Sequence, residues 1–373
     1  METNMHNRRS FLAGLFALGL CPSVTWADAG SPAFLSAARN PDGKYALFGL
    51  SDKGGIIFEI PLPGRGHAAA AHPQRPEAVA FARRPGNFAL VIDCISGKTR
   101  AVLDAPSGRH FYGHGAFSAD GTRLFTSEND FENAQGIIGV WAVGETYQRL
   151  GEFHSGAIGP HELKLLPDGK HLVIANGGIE THPDSGRTKL NIATMQPSLA
   201  YVRLDGTQVD ELILPQTMHK NSIRHLSVGS DGTVAFAMQW QGDINQSPAL
   251  LGLHTMGGTS QLLKAPTDAH RALQGYIGSV ALLSGQNRLA ATSPRGGMMQ
   301  IFDTGSGDYV ETILEPDVCG VAIHDAQFVR TSGQGVVSCS QLREQDKRQA
   351  DGSAQNWRQT HICQWDNHLV PIG

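Results

Sequence analysis

The sequence lacks the local motifs by which most enzyme and cofactor families are recognised. It contains no nucleophile elbow, no P-loop, no His-Glu-x-x-His zinc motif and no glycine-rich dinucleotide fingerprint. A Cys-x-x-Cys-His attachment motif is also missing, which excludes covalently bound haem c. No complete catalytic set is visible, so a binding function is favoured over an enzymatic one.

An excess of charge of either sign is also absent. The chain has 30 Lys and Arg against 34 Asp and Glu, a net charge of −4. Without a basic surface there is little attraction for a phosphate backbone, so we expect no nucleic-acid partner. No apolar run reaches the roughly 20 residues that span a bilayer, so we expect no transmembrane segment.

Residues 1–27 have the features of an export signal. Arg8 and Arg9 precede a short apolar run, and Ala27 is a small residue suited to cleavage. The motif NRRSFL resembles a twin-arginine signal, which exports folded proteins, although Asn7 and Ala13 depart from the usual pattern. We therefore expect a soluble periplasmic protein that is cleaved near Ala27.

The chain has only five cysteines. Cys21 offers a rival lipoprotein site within the signal, but Leu20 before it is bulkier than the Gly or Ala that such a site prefers. The other four fit no Cys-x-x-Cys metal or redox motif: Cys94, Cys319, Cys339 and Cys363. An oxidising compartment permits disulfides, and Cys339 with Cys363 is the candidate pair. Cys94 is expected to be a buried small apolar residue.

One pattern recurs seven times after the signal: an apolar stretch, a turn rich in Asp, Gly, Pro or Asn, and a second apolar stretch. Clear examples are GAFSADGTRLFTSEN from residue 115, ELKLLPDGKHLVIANGG from 162 and LSVGSDGTVAFAMQW from 226. The other units start near residues 33, 78, 279 and 322. The turn residues favour hairpins because they accept the positive φ of a tight turn.

A third and often a fourth β-like stretch follows, giving about 49 residues per unit, within the range of a propeller blade. The pattern predicts an all-β fold: a seven-bladed β-propeller with four-stranded antiparallel blades, of the YVTN/WD40-like type. It forms a single domain over residues 28–373. Eight blades, or a sandwich of short strands, are the alternatives.

The predicted blades separate short links from long ones. In an up-and-down blade the first strand lines the central channel. The links between strands two and three then lie on the same face as the links between blades. These are the polar, irregular segments, including the insertion at 177–198 in unit four. Long ordered loops on a rigid scaffold commonly carry binding, so this loop face is the predicted ligand face.

Three histidines occupy equivalent positions before the inner strands. Each lies six or seven residues before the Asp of its turn: His114, His161 and His225. We expect them to cluster at the channel mouth. Imidazoles beside a carboxylate suit zinc, copper or iron, and noncovalent haem is a further possibility. The alternatives are an acid–base role, or hydrogen bonds from the imidazoles to the backbone of a neighbouring blade.

Further polar residues of the loop face complete the set of candidate ligand-binding positions. That set is His110, Tyr112, His114, Glu128, His161, Glu162, Asn176, His182, Arg187, Arg224, His225 and Arg295. Within the insertion, His182, Asp184, Arg187 and Lys189 suit an anionic ligand because arginine pairs with carboxylate or phosphate through two hydrogen bonds. Internal salt bridges and Asx turns of the loop are the alternative for these residues.

Several of these segments together resemble one bacterial family. RHFYGHG, IGPHEL, SIRHLSV and above all LVIANGGIETHPDSGRTKLN are similar to domain of unknown function family 1513. The resemblance implies an exported propeller, often encoded beside imelysin-like periplasmic proteins and a di-haem oxidoreductase in clusters linked to iron acquisition. The family has no established reaction, so it implies no catalytic residues.

Two main functions follow from the sequence. The first is a periplasmic propeller that acts as a binding or assembly component of an iron-acquisition system, with imelysin-like proteins or the di-haem oxidoreductase as partners. The alternative is a redox enzyme or electron-transfer subunit with iron, copper or noncovalent haem held by His114, His161 and His225. A metal-free hydrolase or lyase is the weakest hypothesis because no nucleophile is identified.

Overall fold

Seven antiparallel sheets account for most of the described chain, which confirms the predicted seven-bladed β-propeller. The computed structural model describes residues 24–84, 86–340 and 356–372. In these ranges the structure has one α-helix, α1 (Thr267–Ala272), and short 3₁₀ turns at Trp26–Ala29, Pro183–Ser185, Gln216–Met218, Ile244–Gln246 and Ser284–Gln286. None of the helices described is long and apolar enough to cross a bilayer.

The strands of the first four blades follow one another along the chain. Blade 1 begins with β1 (Phe34–Arg39), β2 (Tyr45–Leu50) and β3 (Ile56–Leu62). Blade 2 consists of β4 (Gly66–Ala71), β5 (Glu77–Ala82), β6 (Ala89–Asp93) and β7 (Thr99–Leu103). Blade 3 consists of β8 (Arg109–Phe117), β9 (Arg123–Asp130), β10 (Gln135–Ala142) and β11 (Gln148–His154). Blade 4 consists of β12 (Pro160–Leu165), β13 (His171–Asn176), β14 (Ser198–Arg203) and β15 (Gln208–Ile213).

The remaining strands complete the ring. Blade 5 consists of β16 (Asn221–Val228), β17 (Val234–Trp240), β18 (Leu251–His254) and β19 (Gln261–Leu263). Blade 6 consists of β20 (Ser279–Leu283), β21 (Arg288–Ser293), β22 (Met298–Asp303) and β23 (Tyr309–Leu314). Blade 7 consists of β24 (Val318–His324), β25 (Gln327–Ser332), β26 (Val336–Cys339) and β27 (Trp357–Thr360). The last strands, β28 (Gln364–Trp365) and β29 (Val370–Pro371), return to blade 1.

The two chain ends close the ring by pairing with each other. Trp365 of β28 pairs with Ala38 of β1, and Val370 of β29 pairs with Leu35. The C-terminal segment therefore forms the inner strand of blade 1, and β1 is the second strand. The units starting near 33 and 78 were each predicted to begin on an inner strand. This prediction was wrong, because both units begin on the second strand of their blade. In blade 2 the inner strand is the alanine-rich β4, which lacks the β-branched and aromatic residues that mark a strand in a sequence.

The first-to-second-strand turns owe their tightness to Asp-Gly pairs. The Asp120 carboxylate accepts a hydrogen bond from the Thr122 amide at 3.0 Å, and Asp168 accepts one from Lys170 at 2.8 Å. Gly121, which follows Asp120, has a φ of +69°, a conformation that glycine adopts without a steric cost. These turns lie on the face opposite the long links, as the repeat predicts.

The apolar core is divided among the interfaces between neighbouring blades. Phe125 and Ile138 of blade 3 pack against Leu163 and Leu172 of blade 4. At the closure, the corresponding cluster joins strands from both chain ends: it contains Phe34, Phe48, Val337, Cys339, Cys363, Trp365 and Leu369. Each blade is thus buried on both faces, which leaves the inner strands free to present polar side chains to the channel.

The export signal falls mainly outside the described residues, but its last part is packed on the ring. Trp26 is buried between blades 1 and 2, and its indole N–H donates to the carbonyl oxygen of His72 at 2.9 Å. Cleavage after Ala27 would remove this contact.

The candidate disulfide is not formed. Cys339 and Cys363 are both free and buried in the closure cluster. Burial raises the pKa of the Cys363 thiol to about 11, so the thiolate that would attack a disulfide is disfavoured. Cys94 is also buried and free, as expected of a small core residue.

Candidate metal centre in the central channel

Five histidines line the central channel, four of them on inner strands and one in the segment that closes blade 1. They are His67 on β4, His114 on β8, His161 on β12, His225 on β16 and His368 between β28 and β29. In the four longer strands the pairing register shifts at or beside the histidine. Such β-bulges insert an extra residue and re-aim a side chain, which brings these imidazoles to the channel axis. The five residues are called the histidine ring below.

The imidazoles of the histidine ring are in mutual contact. Neighbouring ring centroids are 4.7–5.1 Å apart around the circuit that joins His67, His114, His161, His225 and His368. The Nε2 atoms of His67 and His114 are separated by 3.2 Å. His114 and His225 lie five and four residues after the starts of β8 and β16, whereas His67 and His161 are the second residues of β4 and β12.

Burial keeps most of these imidazoles neutral at pH 7. Desolvation lowers the pKa of His114 to about 3, and it lowers those of His67, His161 and His368 well below the usual value. The neighbouring imidazoles and cations push in the same direction. A neutral imidazole keeps one nitrogen lone pair, which is the form that binds a metal ion.

The ring nitrogens that line the channel are short of hydrogen-bond partners. Nδ1 of His67 and His161, and Nε2 of His225 and His368, are buried without a partner among residues 24–84, 86–340 and 356–372. Within the described part of the chain, none of the five imidazoles bonds to a backbone group, in contrast to His72, whose Nε2 contacts the carbonyl oxygen of Gly121 at 3.1 Å. Because buried polar atoms are normally paired, this set points to a ligand rather than to capping of a neighbouring blade.

Glu162 supplies the carboxylate beside the ring. Its Oε2 lies 3.3 Å from Nδ1 of His225 and its Oε1 lies 3.0 Å from Nζ of Lys164. Burial alone would raise the pKa of Glu162, but Lys164, His114 and His225 hold it well below the usual value. A carboxylate on Nδ1 fixes the tautomer, so that Nε2 of His225 carries the free lone pair.

The histidine ring separates two cavities. An upper cavity of about 200 Å³ opens toward the loop face and is lined by His67, His161, His225, Arg83, Arg84, Arg187, Arg224, Tyr112, Tyr276, Gln239 and Asn367. A lower cavity of about 340 Å³ is walled by the inner strands, and His114, Glu162 and His368 border it. His225 borders both cavities, so the ring can be reached from either side.

The predicted site residues divide into two groups. The structure brings His114, His161, His225 and Glu162 together at the ring, with Tyr112, Arg187 and Arg224 in the upper cavity. The remaining candidates lie elsewhere: His110, Glu128, Asn176, His182 and Arg295.

Those remaining residues have other partners. Asn176 is buried and bonds to Ser155 through both ends of its amide, which fixes a blade interface. His110 stacks on Phe131 at 5.6 Å, and His182 meets the edge of Phe131 at 5.1 Å, so these two line an outer rim. The guanidinium of Arg295 lies 4.4 Å above the ring of Tyr276.

Glu128 is a structural residue in this arrangement. Both of its oxygens bind the guanidinium of Arg149, at 2.8 and 2.9 Å, and its side chain is fully buried. We expect Glu128→Ala to lower the free energy of unfolding by about 3–5 kcal/mol, because a buried pair loses one partner. Urea unfolding measures this. Glu152→Ala, at a partly exposed pair with the same arginine, is the control and should cost about 0–1 kcal/mol.

The site residues that sequence reasoning missed include His67, His368 and Arg84. His67 lies on β4, which was not predicted to be the inner strand of blade 2. His368 lies in the C-terminal segment that completes blade 1. A signal was present, because SIRHLSV around His225 and DNHLVP around His368 share the same His-Leu step. The sequence around Arg84 did not indicate a site residue. Arg84 lies in the link after β5, and only the assembled ring of blades places this link over the channel.

Comparisons with known proteins identify a family and an architecture. The sequence model of a family described as "Protein of unknown function (DUF1513)" matches residues 60–372. No curated protein sequence matches this chain significantly.

Solved structures share the architecture only. A chain of hydrazine synthase from Kuenenia stuttgartiensis is similar with a TM-score of 0.57 and 13% identity, covering 88% of this chain and 95% of that one. A chain of a nidogen/laminin complex is similar with a TM-score of 0.50 and 14% identity, covering 76% and 94% respectively. Because 963 chains match in this way, the likeness indicates a widespread fold and not an activity.

Proposed function

Because this chain belongs to the DUF1513 family, whose description assigns no reaction, we propose a function from the channel itself: the protein binds a transition-metal ion in its histidine ring. The observation that carries the proposal is the convergence of five imidazoles, four of which have a ring nitrogen that is buried without a partner among the described residues. Imidazole is a preferred ligand of zinc, copper, iron and nickel.

The nitrogen spacing supports a shared ion. The His67 and His114 Nε2 atoms are 3.2 Å apart. Two nitrogens bound tetrahedrally to one zinc ion at about 2.0–2.1 Å are separated by about 3.3 Å. An N–H···N hydrogen bond between the two imidazoles would have a similar length, and in either arrangement Nδ1 of His67 is buried without a partner among the described residues.

Two overlapping groups of three ligands are available. His67, His114 and His161 form one group, and His114, His225 and His368 form the other, with the ligand atoms of each group within 4.8 Å of one another. His114 belongs to both groups, so it is the central ligand of the proposed site. The contact between the rings leaves no space for a porphyrin among them, which favours an ion over haem at this position.

The physiological role we propose is that of a metal-binding component in an exported iron-acquisition system. The family resemblance supports iron as the ion and imelysin-like proteins or a di-haem oxidoreductase as partners. Export through the twin-arginine signal, with the mature protein in the periplasm, belongs to the same proposal. A rigid propeller with a buried ion suits capture or presentation of that ion better than turnover.

One observation favours a second function, a metal-dependent redox protein. An ion held by three imidazoles keeps open coordination positions, and both cavities give small molecules access to it. A reversible Cu(II)/Cu(I) or Fe(III)/Fe(II) couple in the metal-loaded protein would support this function. A site that takes up zinc but neither copper nor iron would contradict it.

The binding function is tested by elemental analysis of the exported protein. We expect about one equivalent of a transition metal in protein purified without added metal. The triple variant His114→Ala, His161→Ala, His225→Ala is expected to hold less than about a tenth of that, because both ligand groups lose members.

His154→Ala is the matched control, since this histidine is exposed on the outer strand β11. It should keep the full metal content. Equal metal contents in the triple variant and the wild type, with both folded by circular dichroism, would refute the proposed site.

A further inference from the structure

We propose that the upper cavity binds a small multivalent oxyanion, a phosphate or polycarboxylate, directly above the histidine ring. This inference deepens the proposed metal-binding function and rests on it for contact between the anion and the ion. The recognition of the anion itself depends on a separate set of residues, which can be tested without metal.

Four cationic side chains from three parts of the chain meet at this cavity and at a smaller one that shares its lining. Arg84 follows β5, Arg187 and Lys189 come from the insertion at 177–198, and Arg224 precedes His225 on β16. All four line a small cavity of about 50 Å³, and three of them also line the upper cavity. Neither cavity has an Asp or Glu among its lining residues in the described chain.

These four cations bond to neutral oxygens only. Arg84 donates to the Thr181 hydroxyl at 2.8 Å, Arg187 to the carbonyl oxygen of Arg84 at 3.1 Å, and Arg224 to the Ser222 hydroxyl at 2.8 Å. Lys189 bonds to the amide oxygen of Gln241. Within the described residues, none of them forms an ion pair.

The charge of the neighbouring Arg83, in contrast, is balanced by a carboxylate of this chain. Its guanidinium binds Asp366 at 2.7 Å, and Arg65 binds the other oxygen of the same carboxylate. The chain therefore supplies a counter-ion for the arginines that need one for structure. The described residues supply none for these four cations, although grouping like charges costs free energy.

The positive charges at the cavity help to lower the pKa values of nearby titratable groups. Burial, Arg224 and Arg295 lower the pKa of Lys189, and burial together with Arg84 lowers that of His110 to about 4. A bound anion would offset this repulsion. Arginine suits an oxyanion because its planar fork donates two parallel hydrogen bonds to carboxylate or phosphate.

Size and charge define the class of ligand. A cavity of about 200 Å³ admits a phosphate or a short polycarboxylate and excludes a nucleotide or a peptide. Several cations at the walls and a metal ion at the floor favour two or more negative charges. An oxyanion can also donate an oxygen to an open coordination position, so the ligand would bind the protein and the ion together.

Hydrogen bonds within the insertion at 177–198 hold this loop in place. The Glu180 amide donates to the Asn191 side-chain oxygen at 2.8 Å, and the Asn191 amide group donates to the carbonyl oxygen of Gly178 at 2.9 Å. These bonds fix the base of the loop. Arg187 and Lys189 are therefore presented to the channel from an ordered segment.

The test uses titration calorimetry with inorganic phosphate and with citrate on the full chain, both metal-free and zinc-loaded. We expect one equivalent of at least one anion to bind at least tenfold more tightly than acetate. Arg224→Gln and Arg84→Gln should each weaken that binding at least tenfold, because each substitution removes charge-assisted hydrogen bonds to the anion. Arg123→Gln, at an exposed arginine on the opposite face, should leave it unchanged.

Thermal unfolding gives a second readout that separates ligand binding from a structural role. Without anion, Arg224→Gln should unfold at the same temperature as the wild type or higher, because a repelled cation is removed. With saturating anion, the wild type should gain stability and the variant should gain much less.

Three outcomes decide the matter. If neither anion binds better than acetate in either metal state, the anion site is refuted, and the metal analysis stands unaffected. If Arg224→Gln and Arg84→Gln bind as tightly as the wild type, the proposed residues are wrong. If the triple histidine variant loses metal but still binds the anion through the arginines, the pocket is upheld and only its contact with the ion fails.

Discussion

Replacing His114 alone is expected to weaken metal binding at least 100-fold, or about 2.7 kcal/mol. His114 is the member that both ligand groups share, so its loss leaves neither group complete. Replacing His67 leaves His114, His225 and His368 in place, and we expect a loss of about tenfold or less. The loss of affinity is expected to be larger at His114 than at His67 because only His114 belongs to both ligand groups, although both residues are histidines.

The measurement is a competition titration against a chelator of known affinity, with Zn²⁺ and Cu²⁺ as probes. Both histidines are buried, so each variant must first be shown to fold by thermal unfolding. His114→Gln keeps side-chain bulk without the imidazole and separates cavity formation from ligand loss. Equal losses at His67 and His114 would show that the ion does not use His114 as a shared ligand.

Removing the closing strands should have the largest effect on stability. A chain ending at residue 360 loses the inner strand of blade 1 and with it the buried Trp365, Cys363 and Leu369. Loss of a buried tryptophan side chain alone costs about 3–5 kcal/mol. Because whole domains are stable by only about 5–15 kcal/mol, we expect the truncated chain not to form a stable ring.

Trp365→Ala is the graded form of this experiment. It should lower the free energy of unfolding, measured with urea, by about 3–5 kcal/mol, while the seven blades still close into a propeller. Ile362→Ala, three residues earlier and 89% exposed, is the control and should change stability by less than about 0.5 kcal/mol. A truncated chain that unfolds cooperatively at the wild-type midpoint would show that closure is dispensable.

Closure also links stability to the proposed site. The segment that closes blade 1 carries His368, and Asp366 within it binds Arg65 and Arg83 beside the upper cavity. The residues that complete the ring of blades therefore also complete the ring of imidazoles. A ligand that bridges His368 and the histidines of other blades is expected to stabilise the closed propeller, since it binds the folded state only.

Local patterns predicted the architecture because a propeller repeats one simple unit. Alternation of apolar and polar residues, with Asp-Gly turns such as Asp120-Gly121, is local chemistry that a sequence displays directly. The repeat also placed His114, His161 and His225 in equivalent slots, and it separated the loop face from the turn face. Even the position of the insertion that carries Arg187 and Lys189 followed from counting strands.

The chain's sequence alone thus determined the blade number, the three equivalent histidines and the face on which the long loops lie. Tertiary structure decided which strand is innermost in blades 1 and 2, and so added His67 and His368 to the ring. It also paired Glu128 with Arg149 away from the channel, and it brought Arg84 over the histidines. The physical reason is that ring closure and bulges bring together residues that are far apart in the sequence, such as Ser36 and His368, which are 332 positions apart, through packing that no local period records.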